Sequence, residues 1–185
     1  MAGDAKNTSL WQGADVYIAP ENTVGPADVT SVWAAGWSLV GLLDGAEGFV
    51  EGRDGDTSEK YAWGGILFRR TASKHKRTFK FVALEDNPTV FQLVNPGSER
   101  TASSGLRTAT IKVPTVGDRF AIGFELRDGN RTKRRTALSA EVQEVGEIKE
   151  SEEDPTVYEI TVVLFPESDG TLYTTVETDP DFVAP

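Results

Sequence analysis

The chain contains no cysteine. Disulfides, thiol catalysis, cysteine-ligated zinc and iron–sulfur clusters are thereby excluded, while reducing and oxidising compartments both stay open. It contains a single histidine, His75, set in Lys74-His75-Lys76-Arg77, where positive neighbours disfavour the protonated form. No orienting acid or nucleophile accompanies it at short range, and no Gly-x-Ser-x-Gly turn presents a serine. His75 reads as a surface residue, not a catalytic base. Long apolar runs are also missing. Val32 to Leu43 is interrupted by Gly36, Ser38 and Gly41, well short of the ~20 residues that span a bilayer. The opening Met1-Ala-Gly-Asp-Ala-Lys carries Asp4 and no apolar stretch, so it does not read as a signal peptide. The expectation is a soluble protein with no membrane insertion.

Bases are scarce relative to acids, 19 against 29, which gives a formal charge of −10. That balance argues against binding phosphate backbones or anionic lipid through bulk charge. With so many acids, any two can be nominated as a glycosidase pair, and the pairing has no specificity. The run Asp54-Gly-Asp-Thr-Ser-Glu59 lacks the glycine and the final acid of a helix–loop–helix calcium site, so it reads as an acidic hairpin. Gly64-Gly65 has no following helix and no Lys-Ser/Thr, and reads as a bulge inside a strand. Phe68 and Phe79 read as core positions, not as platforms for bases. No metal, cofactor or active site is expected.

What is present is a period of two. Phe120, Ile122, Phe124 and Leu126 alternate with Ala121, Gly123, Glu125 and Arg127, the pattern of a strand with one buried face. Tyr158 to Leu164 is apolar on both sides and reads as a central strand; Phe79, Phe81 and Ala83 mark a third. Weaker strand candidates are 15–19, 37–43, 49–51, 61–71, 106–113, 137–145 and 172–177. Asp128-Gly129-Asn130 and Ser168-Asp169-Gly170 read as tight hairpin turns, and 22–30 as a loop. One short helix is expected over about 87–95, capped by Asn87 with Pro88 at its first position, Phe91 and Val94 on its packing face, and Asn95-Pro96-Gly97 as its stop. No composition shift or repeat divides the 185 residues, so one mainly β domain is expected.

Charge is segregated along this domain. Residues 41–60 hold six acids and two bases, 69–80 hold six bases and no acid, 127–135 hold five bases against Asp128, and 141–154 hold seven acids and one base. Such runs are usually solvated faces. They can also make a bipolar protomer whose basic blocks meet acidic blocks on its neighbours.

An ordered set of segments carries a resemblance: Gly13-Ala-Asp-Val-Tyr-Ile-Ala-Pro20, Trp37-Ser-Leu-Val-Gly-Leu-Leu-Asp-Gly, Ala62-Trp63-Gly64-Gly65, Thr78-Phe79-Lys80-Phe81, Leu84-Glu85-Asp86-Asn87-Pro88, and Ile160-Thr-Val-Val-Leu-Phe165-Pro before a Ser-Asp-Gly turn. Spanning roughly residues 13–180, this set resembles the major tail tube proteins of long, non-contractile-tailed (siphovirus-type) bacteriophages, particularly those of actinobacteria. The resemblance implies a β-sandwich or barrel-like tail tube fold with a flanking helix, hexameric rings stacked into a hollow tube, and DNA passing through it without specific binding. It implies a structural virion protein made in the host cytoplasm, with no turnover and no cofactor. Its implied partners are further copies of itself, the tape measure protein, and the tail tip and tail terminator proteins. It also implies an N-terminal arm of about 1–12, a stacking or lumen arm of about 44–60, a C-terminal tail of about 178–185, and no added immunoglobulin-like domain.

Under that reading, some of Asp44, Glu47, Glu51, Asp54, Asp56 and Glu59 face the lumen, where they repel phosphate so that DNA slides. Two basic blocks are expected to meet acids of adjacent subunits: Arg69, Arg70, Lys74, Lys76 and Arg77, and Arg131, Lys133, Arg134 and Arg135. Trp33, Trp37 and Trp63 are expected to pack. One alternative is a carbohydrate-binding β-sandwich using Trp11, Trp33, Trp37 or Trp63 as a platform. Another is the tube of a related injection machine, such as a secretion system, gene-transfer particle or tail-like bacteriocin.

Overall fold

The computed structural model describes residues 8–114 and 117–178, so most of the expected N-terminal arm and C-terminal tail lies outside the described residues. Within them the strands are β1 Gly13–Pro20, β2 Ser38–Leu39, β3 Val50–Tyr61, β4 Leu67–Ala83, β5 Glu99–Ser103, β6 Leu106–Thr110, β7 Phe120–Asp128, β8 Arg131–Val145, β9 Tyr158–Leu164 and β10 Thr174–Glu177. The helix α1, Pro88–Val94, falls between β4 and β5. The chain is mainly β, as its period of two implies. One antiparallel sheet runs in the order β2-β1-β7-β8-β9-β4-β3; β10 pairs with the first part of β8, and β5–β6 form a separate ribbon.

A short segment closes this sheet on itself. Leu39 and Ser38 pair with Tyr17 and Ile18 of β1, and Val40 N–H donates to the Val16 carbonyl at 2.8 Å. A few residues on, Leu43 bridges Ala83 of β4, and Asp44 N–H donates to the Val82 carbonyl at 2.9 Å. Residues 38–44 therefore satisfy backbone at both ends of the row, which is how a β structure removes open edges. Gly41 makes the bend between the two, at φ +102°, where a Cβ would also sit 2.6 Å from the Glu85 carboxyl. That carboxyl accepts from Leu42 N–H at 2.8 Å.

Inside the closed sheet sits one core drawn from five strands, the closing segment and the helix: Val16, Val40, Phe79, Phe81, Val90, Leu93, Ile122, Phe124, Ile160 and Val162 among others. Burying side chains of this size stabilises by roughly 1.5–3 kcal/mol each. The helix seals one end. Asn87 caps it by accepting from Val90 N–H at 3.0 Å, and its amide donates to the Val40 carbonyl at 2.6 Å, so one side chain ties helix to closing segment. Asn87→Ala is expected to lower stability by about 2 kcal/mol, the upper end for a lost cap, because it also strips the Val40 carbonyl. Asn87→Asp should restore the cap but not that donor, and urea denaturation midpoints will show the partial recovery. Val90 and Leu93 enter the core from the helix and Val94 packs against it, whereas Phe91 is buried beneath the Arg100 guanidinium, 4.5 Å from its ring centroid.

Several local expectations change. The strand β7 is buried on both faces, not one. Phe68 is exposed, whereas Phe79 is fully buried. Gly64 and Gly65 form a turn with φ of 85° and 78°, not a bulge within a strand. The ribbon strand β5 follows no hydrophobic alternation, since none of its residues is buried. Residues 168–170 do turn, yet β9 and β10 lie along successive parts of β8 and do not pair as a hairpin.

Candidate assembly surface

The most extended feature is an arm. The strand β4 pairs with β9 only over Thr78–Ala83, so residues 53–61 and 67–77 project as a two-stranded ribbon beyond the sheet. At about 3.3 Å per residue its reach is roughly 30 Å. A register shift between Asp54 and Asp56 marks a bulge facing His75, with Lys74 in the left-handed region at φ 56°. At the tip, Ala62 N–H donates to the Ile66 carbonyl at 2.8 Å and Gly65 N–H to the Ala62 carbonyl at 3.1 Å. The tip carries Tyr61, Trp63, Ile66, Leu67 and Phe68, all exposed, with Trp63 at 101%. Trp63 thus departs from the expected packing role.

The acidic and basic blocks of the sequence meet each other along this arm. Asp54 pairs in register with Lys76; Lys74 Nζ lies 2.8 Å from Asp56 and Arg70 Nε 3.6 Å from Glu59. Arg69 stands across from Lys60. From Glu51 to Arg77 the arm holds seven bases and four acids, so it is a cationic ribbon, not the acidic one its first strand suggests. Exposed pairs of this kind contribute little stability. Their effect is on the field the arm presents to a partner.

At the base of the arm the charges turn inward. Glu51 accepts from Arg53 Nε and Arg77 Nη1 at 3.0 Å each and from Tyr173 OH at 3.2 Å, with Arg135 Nη1 at 3.5 Å. Its side chain is only 10% exposed. Burial pushes its carboxyl up, but hydrogen bonds from Arg53 and Tyr173 and the charges of Arg53 and Arg135 outweigh this and hold it below its ordinary value. Glu51 is therefore held by groups of its own subunit. Asp44 accepts from Ala46 N–H at 2.8 Å in the loop before β3, next to exposed Glu47.

The second basic block divides. Arg134 is buried: Nε donates to Glu125 at 2.9 Å, and Nη1 donates to the carbonyls of Asp28 and Ser31 at 2.6 and 2.7 Å. It pins the loop between β1 and β2 across β7, where Trp33 Nε1 donates to the same Glu125 at 2.9 Å and stacks on Tyr17 with centroids 4.4 Å apart. Gly123 makes room for this indole; a Cβ there would lie 2.2 Å from Trp33. Arg134 is thus committed inside its own subunit. Arg135 is drawn to Glu51, Lys133 Nζ lies 2.8 Å from Glu177, and Arg131 Nη1 donates to the Thr8 carbonyl at 2.9 Å. The same geometry clasps Trp33 between Tyr17 and Trp37.

Two further surfaces face outward. Residues 147–155, between β8 and β9, are exposed throughout and carry five acids and one base. Between α1 and the neighbouring ends of β1 and β7 lies a groove of about 840 Å³. Sequence reasoning missed the tip residues Tyr61, Ile66, Leu67 and Phe68 as a surface. The available signal was a cluster of large apolar residues astride Gly64-Gly65, between two charge blocks of opposite sign.

Comparison with known proteins adds three findings. The profile of a family described as phage tail tube protein matches residues 1–185. No curated protein matches. Among solved structures, a chain from the cryo-electron microscopy structure of an extracellular contractile injection system, the PVC sheath–tube complex in its extended state, aligns over 92% of this chain and 93% of that one, with 11% identity and a TM-score of 0.49.

Proposed function

Since the chain belongs to the phage tail tube protein family, we propose that it assembles as stacked hexameric rings into the hollow tube of a long, non-contractile, actinobacteriophage-type tail. Its role is structural, as a virion component, and not enzymatic. In the proposed tube DNA passes from capsid to host without specific binding. The tape measure protein lies inside during assembly, and tail tip and terminator proteins close the ends. The subunit is made in the host cytoplasm.

The observation that carries this reading is the arm. A protomer that stayed alone would hold five large apolar side chains in water at the end of a ribbon packed on nothing else of the described chain. Such a ribbon gains its stability from a partner. The arm bases Arg69, Arg70, Lys74 and Lys76 then meet acids of neighbouring copies. The bore is lined by acids outside the cationic arm, with Asp44 and Glu47 as candidates.

Replacing Trp63 and Phe68 together with serine tests the arm's part. Neither side chain is in the core, so the urea midpoint should stay within error of wild type. The concentration needed for polymer to sediment should rise about 30-fold or more, as expected when an aromatic anchor worth about 2 kcal/mol is lost. Polymerisation at the wild-type concentration would remove the arm from the account.

A further inference from the structure

We propose that the arm tip of one copy seats in the groove beside α1 of another copy, a claim that rests on the tube reading and names the contact that propagates it. The groove has a mixed lining from helix and sheet, in which Ile18, Pro20, Pro96, Phe120 and Val142 alternate with polar residues such as Gln92. Its volume of about 840 Å³ falls within the range of concave sites that bury a ring-bearing ligand. Trp63, at 101% exposure, is not covered by any of the described residues of its own chain, and Ile66 and Phe68 beside it are 67% and 64% exposed.

Charge favours the same match. Glu21 and Asp118 lie in the groove wall, and Glu141 accepts from Gly117 N–H at its edge. The one base among the described residues there, Arg119, lies over the Phe165 ring at 3.9 Å and reaches toward Glu21, also at 3.9 Å. Facing these acids, the outer part of the arm brings Lys60, Arg69 and Arg70 against Glu59 alone. Apolar tip and basic flanks thus fit a groove that offers apolar contacts beside acids. The acidic loop 147–155 offers charge but only Ile148, 41% exposed, as a large apolar contact.

Tip and groove are different surfaces of one chain. When a copy gives its tip to one neighbour and takes a tip from a second, the contact is heterologous. Contacts of this type build rings or open filaments.

Absence of native cysteine makes the test direct. Full-length chains carrying Ala62→Cys, which leaves Trp63 in place, are mixed with chains carrying Gln92→Cys, at the groove lip, or Ser151→Cys, on the acidic loop. All three positions are exposed, so folding is spared. The mixtures are concentrated, oxidised, viewed by electron microscopy and run on non-reducing gels. Tubes with a 62–92 disulfide and little 62–151 product are expected. Tubes in which 62–151 forms, or no 62–92 product appears, overturn the groove and leave the tube standing. A 62–92 disulfide in small oligomers without tubes supports the contact and counts against the tube. Neither tubes nor a disulfide removes both.

Discussion

Phe124→Ala is expected to lower the unfolding free energy by about 3–5 kcal/mol, the cost of emptying an aromatic site in a packed core. Phe124 is 1% exposed, and its ring centroid lies 4.0 Å from that of Phe49, 5.0 Å from Phe79 and 6.0 Å from Phe81. These rings come from β7, from the loop leading to the arm, and from β4. In the flat order of the sheet β7 and β4 are separated by β8 and β9, so their rings meet only because the sheet curls closed. A cavity here loosens both the closure and the root of the arm. Against a typical total of about 5–15 kcal/mol, the variant should unfold at a far lower urea concentration with an unchanged slope. A loss below about 1 kcal/mol would mean that the curled sheet does not depend on this cluster.

The second large effect is expected at Arg134. Removing one partner of a buried, hydrogen-bonded ion pair costs about 3–5 kcal/mol, and Arg134→Met should fall near the lower figure, because Arg127 still donates to Glu125 at 2.7 Å. Arg134→Lys should recover little of it, since an ammonium lacks the planar fork that reaches a carboxylate and two carbonyls together. The loss has a spectroscopic signature. Trp33, freed with the loop that Arg134 holds, should shift its emission to the red. It also has a pH signature. Burial raises the Glu125 carboxyl, but hydrogen bonds from Trp33 and Arg127 and the charges of Arg134 and Arg127 bring it below its ordinary 4.5. A depressed acid contributes stability that is fully present above the unfolded value and is lost as pH falls through the folded one. Wild-type stability should therefore decline below about pH 4.5, and the decline should be shallower in Arg134→Met, with Glu51 retaining part of it. An equal slope in both proteins would contradict the clasp.

How much of this was legible beforehand depends on what each residue faces. The strands β7 and β9 and the helix were readable because burial imposes a period and Asn87-Pro88 a start signal. The polar face of β7 misled, since Glu125 looks like a solvent-facing residue in an alternating strand. It is covered because a loop far away in sequence brings Trp33 and the Arg134 contacts onto it, and local pattern does not encode distant cover. The hint was Gly123, a small residue in mid-strand, together with two tryptophans in a segment with little strand character. The arm misled for the opposite reason. Its tip is apolar without being buried, so Tyr61 to Thr71 reads as one core strand, and the glycine pair that turns the chain reads as a bulge. Its acids and bases look like separate blocks because pairing across a hairpin joins residues far apart in sequence, Glu59 with Arg70 and Asp54 with Lys76. The ribbon strand β5 carries no hydrophobic period at all.

The central claim is that the chain builds a tube, and cryo-electron microscopy of the concentrated wild-type protein, with and without tail initiators, tests it most directly. Hollow tubes of uniform width with six subunits per ring, each arm crossing to a neighbouring copy, are the expected result. Protein that stays monomeric at every salt and protein concentration, initiators included, would contradict it.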